Sequence, residues 1–159
     1  MKTKITLFLI SVLIFPILTN AQTLKGVFES SWKGASKSRT DLTDSKYFVC
    51  TEKMYNISYN ESNNTFTGTA LTTFNLDKKN YECKVNISGT YNTVTHIAII
   101  KTGYRIKQDA LPNGLYWIDT TISLTLYTDA DHKGYYLLQG KTSNQSYSDE
   151  FYEISNYPY

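Results

Sequence analysis

The chain has few side chains suited to catalysis, and its two histidines, His96 and His132, are the first to consider. No H-E-x-x-H or related spacing joins them, so the sequence does not indicate a zinc site. His96 stands in an apolar stretch, where a hydrogen-bonded structural histidine is favoured over a general base. His132 stands in a polar turn, where we expect it to be solvated. The chain also lacks a G-x-S-x-G motif and a glycine-rich phosphate loop. We therefore assign no catalytic residue, no metal ligand and no cofactor.

The segment DADHKG, residues 129–134, matches the first half of a calcium-binding loop. In such loops alternate carboxylates converge on the ion, and a glycine permits the sharp bend. Here Lys133 stands at a ligand position, and Gly140 stands where a bidentate glutamate would close the loop. We therefore interpret this segment as a hairpin turn.

Asp119 is the acid best placed to take part in a site, because it shares one face of a β-rich run with Trp117 and Thr121. An acid that projects into a barrel beside an indole could orient a polar group of a ligand. The alternative is that this face is exposed to solvent. Together with a second acid, Asp119 could also serve glycoside cleavage, which uses paired carboxylates.

The first residues, 1–21, have the order of a secretory signal peptide: a positive start, an apolar run from Ile5 to Leu18, and small residues before the cleavage point. The apolar run is shorter than the ~20 residues that a helix needs to span a bilayer, so we expect no membrane anchor. Cleavage near Ala21 would leave residues 22–159 as one secreted or periplasmic β-barrel-like domain.

Cleavage would also change the charge of the chain. The precursor has 16 basic and 14 acidic residues, and Lys2 and Lys4 would leave with the signal peptide. The mature chain would then be close to neutral, without the basic surface that nucleic acids require, so we expect no nucleic-acid partner. All 14 tyrosines and both tryptophans remain in it, a composition that favours strands over helices.

Cys50 and Cys83 are the only cysteines, and an even pair in an exported protein predicts one disulfide. The strand pattern conflicts with that pairing. Folding the chain about its turns places Cys50 opposite Phe74 and Cys83 opposite Thr73, on either side of one strand. Two such residues are about 9 to 10 Å apart, whereas a disulfide needs Cα atoms within ~7 Å of each other. The disulfide remains the expectation, with two buried thiols as the alternative.

Alternation of apolar and polar residues with a period of two recurs after residue 26 and predicts strands. The clearest strand is Thr65–Leu76, with small and apolar residues on one face and mainly threonine on the other. Tyr81–Tyr91 alternates in the same way, and Gly103 is interpreted as a bulge. The other strand segments predicted are Val27–Gly34, Lys46–Tyr59, Thr93–Lys101, Tyr104–Gln108, Leu115–Tyr127, Tyr135–Thr142 and Phe151–Ile154.

About eight or nine strands joined by short turns predict an all-β fold, an antiparallel meander. Closing the meander into a small β-barrel would remove its exposed edges, and a β-sandwich is the alternative. Gly68, Ala70 and Gly89 lie on the inward faces of neighbouring strands, which suits the sharp curvature of a small barrel.

The short exported chain, the early tryptophan in S-W-K-G (residues 31–34) and the consecutive hairpins resemble lipocalin-like and avidin-like exported β-barrels. The resemblance covers the mature chain as architecture and implies a small β-barrel. The lipocalin signature is G-x-W, whereas Gly26 lies six residues before Trp32, so no binding residues are carried over. The signal peptide and the asparagine-rich composition also resemble those of exported proteins from Bacteroidetes-type bacteria.

Three functions fit these observations. The first is a non-enzymatic binding protein with a small apolar or amphipathic ligand in the barrel interior. The second is a protein-binding module, such as a hydrolase inhibitor, that uses exposed tyrosines and loops. The third is a carbohydrate-active enzyme that uses Asp119. For the first function, the proposed ligand-binding residues are Trp32, Tyr55, Phe66, Phe74, Trp117 and Asp119.

Overall fold

The computed structural model describes residues 22–38, 48–142 and 151–158. The predicted signal peptide lies outside these residues. The described elements are α1 (Leu24–Phe28), β1 (Trp32–Ser38), β2 (Phe48–Asn60), β3 (Thr65–Leu76), β4 (Lys79–Asn92), β5 (Ile97–Gln108), β6 (Thr121–Thr128), β7 (Tyr136–Thr142) and β8 (Phe151–Ser155).

The eight described strands form a closed antiparallel barrel. Each strand pairs with the next one along the chain, and β8 pairs with β1 to close the sheet. The predicted all-β meander and its closure into a small barrel are confirmed, and the sandwich is not formed. The fold is compatible with a lipocalin-like barrel.

The first predicted strand, Val27–Gly34, is wrong in its first half, because Leu24–Phe28 forms the helix α1. Thr23 caps this helix, and its hydroxyl oxygen accepts a hydrogen bond from the amide of Gly26 at 3.1 Å. The helix is short, and it is held in place by packing because Val27 and Phe28 are buried.

The helix α1 closes one end of the barrel. The ring of Phe28 lies 4.9 Å from that of Tyr59, 5.3 Å from that of Phe66 and 4.9 Å from that of Tyr91, measured between centroids. Gly89 makes room for this stack, since a Cβ atom there would lie 2.4 Å from the Phe66 ring. We call the group formed by Val27, Phe28, Trp32, Tyr59, Phe66 and Tyr91 the closed-end core.

The opposite end of the barrel carries a second apolar group, which we call the mouth cluster. It consists of Phe48, Cys50, Phe74, Leu76, Tyr81, Leu111, Leu115 and Trp117.

The predicted strand Leu115–Tyr127 begins only at Thr121, and residues 109–120 form a loop at the mouth. A turn at residues 112–115 starts this departure, and in it the amide of Leu115 donates to the carbonyl of Pro112 at 3.1 Å. The Trp117 indole then donates to the carbonyl of Asp109 at 2.9 Å, which folds the loop back on itself.

Two segments predicted separately, Thr93–Lys101 and Tyr104–Gln108, join into the single strand β5. The register against β4 shifts between the pairs Ile87–Thr102 and Val85–Arg105. Gly103 lies within this shift, at the place where the sequence predicts a bulge.

In the described part of the chain, no helix has the length and apolar character that crossing a membrane requires.

Candidate functional site

A cavity of about 170 Å³ lies inside the barrel, between the closed-end core and the mouth cluster. Its walls come from all the strands except β7, and the loop 109–120 borders it at the mouth. Most of the lining side chains are apolar. The inward apolar ones from the sheet include Met54, Ala70, Val85, Ile87, Ile100, Ile122, Leu124 and Ile154.

Three of the residues predicted to bind a ligand line this cavity: Phe74, Trp117 and Asp119. Phe74 is buried on β3 and packs edge-on against Phe48, with ring centroids 5.3 Å apart. Trp117 and Asp119 belong to the loop at the mouth and not to a strand.

Trp32 and Phe66 lie in the closed-end core and do not line the cavity. Trp32 is almost completely buried, and its indole N–H has no hydrogen-bond partner among the described residues. Both residues face the barrel interior, as the sequence predicts, but at the depth where α1 fills it. The helix, which the strand pattern did not predict, thus removes two expected lining residues from the site.

Tyr55 faces the outside of the barrel, where the Lys84 ammonium lies 5.6 Å from its ring centroid. The cause is a bulge in β2 between Tyr55 and Ser58, where Asn56 has a φ of 51°. Asparagine tolerates this left-handed conformation better than most residues. The bulge shifts the alternation by one residue, so Met54 and Ile57 both point inward.

Glu52 is a lining residue that the strand pattern did not predict. Its side chain is only 5 % exposed, and it is held by hydroxyls from both neighbouring strands. Ser36 on β1 donates to Oε1 at 2.6 Å, and Thr72 on β3 donates to Oε2 at 2.7 Å. One sequence signal could have found it: pairing Cys50 with inward-facing Phe74 also pairs Glu52 with inward-facing Thr72.

Arg105 also lines the cavity, and it fixes the loop 109–120 at the mouth. Its Nε and Nη2 donate to Oδ1 of Asp119 at 3.1 and 2.9 Å. Nη2 also donates to the carbonyl of Trp117 at 2.9 Å, and Nη1 donates to Gln108 at 2.9 Å. Because the Asp119 side chain is 62 % exposed, this ion pair adds little stability, and its main effect is to position the loop.

The predicted disulfide is not formed: within the described chain, Cys50 and Cys83 are both buried thiols. Cys50 pairs with Phe74 on one side of β3, and Cys83 pairs with Thr72 on the other side. The strand pairing predicted by folding the chain about its turns is therefore correct to within one residue. Strand β3 lies between the two cysteines. An even number of cysteines in an exported protein therefore did not suffice to predict a disulfide.

Both thiols are expected to react slowly with a disulfide reagent such as DTNB in the folded protein. Cys50 and Cys83 are shielded by the barrel, and burial raises the pKa of the Cys83 thiol, which lowers its reactive thiolate fraction. In denaturant both should react quickly, and a reductant should not change the unfolding midpoint. A midpoint lowered by reductant, or a denatured chain without reactive thiols, would instead show a disulfide.

The two histidines lie away from the cavity, at the closed end of the barrel. His96 is exposed in the turn between β4 and β5, and its Nδ1 lies 3.0 Å from the Tyr91 hydroxyl. The His132 ring stacks on that of Tyr157 with centroids 3.8 Å apart. His96 is thus hydrogen-bonded, but in a turn and not in the predicted strand.

The segment 129–134 forms a turn organised by one buried carboxylate, that of Asp129. Oδ1 accepts the amides of Asp131 and His132 at 2.9 and 3.1 Å, and His132 Nδ1 lies 3.0 Å from Oδ2. Burial raises the pKa of Asp129, but these hydrogen bonds outweigh it and leave the pKa below the usual value. Among the described residues, no group of three His, Cys, Asp or Glu side chains is arranged to hold a metal ion.

Comparison of this chain with family models, curated proteins and solved structures found no match. The cavity is therefore the main indication of what the protein does.

Proposed function

We propose that this protein is a non-enzymatic binding protein that holds a small apolar or amphipathic molecule inside the barrel. The observation that carries the proposal is the cavity of about 170 Å³, with its mainly apolar lining. Interiors of small proteins are close-packed, and voids larger than a water molecule are few. An internal space of this size is therefore a feature that ligand binding would explain.

The size of the cavity limits the ligand. An engineered apolar cavity of ~150 Å³ binds benzene, so this cavity fits an aromatic ring or a short branched chain. Trp117 at the mouth adds a flat apolar surface, and its indole N–H already donates to the carbonyl of Asp109, so it requires no hydrogen-bond acceptor from the ligand. A ligand of this kind would lie between the mouth and the inward side chains of β3, β4 and β5.

Filling the cavity is expected to weaken ligand binding. Ala70 lines the cavity from β3, and Ala70→Phe would place a ring in the space that the ligand uses. We expect the affinity for benzyl alcohol, measured by titration calorimetry, to fall by at least about tenfold. This is the free energy of burying about two CH2 groups. Quenching or a shift of Trp117 fluorescence gives a second readout.

Thr67→Phe is the matched control, because Thr67 lies on the same strand but is exposed on the outer face. Both variants should keep the circular dichroism of the barrel, and only Ala70→Phe should lose binding. Equal affinity in the two folded variants would contradict the cavity proposal. A folded wild-type protein that binds no aromatic probe of this size would contradict it as well.

The alternative function, binding of another protein, is favoured by one observation. The outer face of β5 exposes large apolar side chains, namely those of Ile99, Tyr104 and Ile106. Exposed apolar patches often mark interaction surfaces. We rank this function second because these side chains lie on one strand, whereas the cavity draws on seven strands and one loop.

A further inference from the structure

Lysines lie side by side on the outer face of the barrel, in a line that crosses the strands. Lys33 on β1 is directly opposite Lys53 on β2, and Lys84 on β4 is directly opposite Lys107 on β5. Leu71 on β3 lies between the two pairs, opposite Lys53 on one side and Lys84 on the other. We call these five residues the lysine row. It aligns four positive charges in a chain whose formal net charge is only +2.

The positive charge of the lysine row is only partly compensated. Lys107 is paired with Glu82 at 3.0 Å, whereas Lys53 and Lys84 have no acidic partner among the described residues. Strand β3 contains no acidic residue, and the one acid of β2, Glu52, faces the interior. Like charges directly opposite each other destabilise a sheet. The middle of the row is therefore a surface where an anion would be favoured.

The shape of the lysine row selects the kind of anion. The row crosses five of the eight strands of a closed barrel, so it curves around the outside. Neighbouring strands are about 4.8 Å apart, so the charges follow one another at short intervals. A flat anionic surface such as a bilayer could touch only part of such a curved line. A flexible linear polymer with charges along its length could follow all of it.

The side chains that flank the middle of the row favour a sugar polymer over a nucleic acid. Thr51 is opposite Thr73 on one side of the row, and Tyr55 is opposite Thr69 on the other side. Threonine hydroxyls both donate and accept hydrogen bonds, as the hydroxyls of a sugar do. Sites for single-stranded nucleic acids stack successive bases on several aromatic rings. On the described strands β2 and β3, Tyr55 is the only aromatic residue that faces outward, and its ring already has the Lys84 ammonium 5.6 Å from its centroid.

We infer that the lysine row binds a linear acidic polysaccharide. Carboxylates of the polymer would contact the ammonium groups of Lys53 and Lys84, and its hydroxyl groups would contact the flanking threonines. This inference goes beyond the proposed function and does not depend on it, because the lysine row is on the outside of the barrel and none of its residues lines the cavity.

Polygalacturonate and its methyl ester test the inference, because they share one backbone and differ in charge. We expect calorimetry at low ionic strength to show binding of polygalacturonate at least about tenfold tighter than binding of the ester, and added salt should weaken it by screening the exposed charges. Replacing both central lysines, Lys53→Gln with Lys84→Gln, should lower the affinity for polygalacturonate by roughly tenfold. The circular dichroism of the barrel and its binding of benzyl alcohol should not change.

Lys133→Gln with Lys141→Gln is the matched control, because it removes the same charge from two exposed positions outside the row, in the turn before β7 and on β7. It should keep the affinity for polygalacturonate. The inference is wrong if the acid and the ester bind equally, or if the two double variants have equal affinities. Oligothymidylate with the same number of charges should bind more weakly than the sugar polymer. Equal or tighter binding of oligothymidylate would assign the row to nucleic acids and overturn the inference. None of these outcomes bears on the cavity, which the benzyl alcohol titration tests separately.

Discussion

Replacing Gly34 by alanine is expected to prevent normal closure of the barrel. Gly34 on β1 pairs with Ile154 on β8, along the seam that closes the sheet. A Cβ atom at Gly34 would lie 2.0 Å from the carbonyl oxygen of Glu153 and 2.6 Å from the Cα of Ile154. Both contacts are with backbone, so no side-chain rotation relieves them. We expect a loss of about 3 kcal/mol or more in the free energy of unfolding, at the upper end for overpacking.

Urea unfolding followed by circular dichroism measures this loss, and Gly103→Ala is the matched control. At Gly103 the nearest atom to an added Cβ is the carbonyl oxygen of Asn86, at 3.3 Å. The same methyl group should therefore cost much less there. If Gly34→Ala were as stable as Gly103→Ala, the close approach of β1 and β8 would not exist in solution.

Replacing Phe28 by alanine is expected to destabilise the protein by about 3 to 5 kcal/mol, the usual range for removing a buried aromatic ring. Phe28 is 2 % exposed and contacts three other rings of the closed-end core. Its loss would also open the end of the barrel that α1 closes. We therefore expect the circular dichroism of the barrel to persist in the absence of denaturant while the unfolding midpoint falls sharply.

Tyr104→Ala is the control for this prediction, because it removes a ring from the outer face of β5, where Tyr104 is 77 % exposed. Its effect should be close to zero, as for most exposed positions. Similar losses for Phe28→Ala and Tyr104→Ala would mean that α1 does not pack into the barrel as the structure shows.

The regular part of the fold could be predicted from the sequence because inward-facing and outward-facing residues alternate there without interruption. Thr65–Leu76 alternates along its whole length, and the observed β3 has the same bounds. The hairpin that follows could be predicted as well, and the pairing of Cys50 with Phe74 came from counting residues about a turn. Closure into a barrel followed from the number of strands and from small inward residues such as Gly89.

The site was harder to predict because it depends on interruptions of that alternation. The bulge at Asn56 changes which face of β2 points inward, so Tyr55 lies outside and Glu52 lies inside. One residue of slip reverses every side chain on one side of the bulge. The loop 109–120 has β-forming residues, yet tertiary hydrogen bonds from Arg105 keep it out of the sheet. Propensity does not report such contacts between distant residues.

The residues just after β8 and just before β1 meet beside α1. The amide nitrogen of the Asn156 side chain donates to the Ser30 hydroxyl at 3.2 Å, and its oxygen accepts the amide of Tyr136 at 2.7 Å. This junction is at the closed end, opposite the mouth. A tether or fusion partner attached beyond either of these residues would therefore lie at the end of the barrel away from the mouth cluster, so immobilisation through it would not place the support against the cavity.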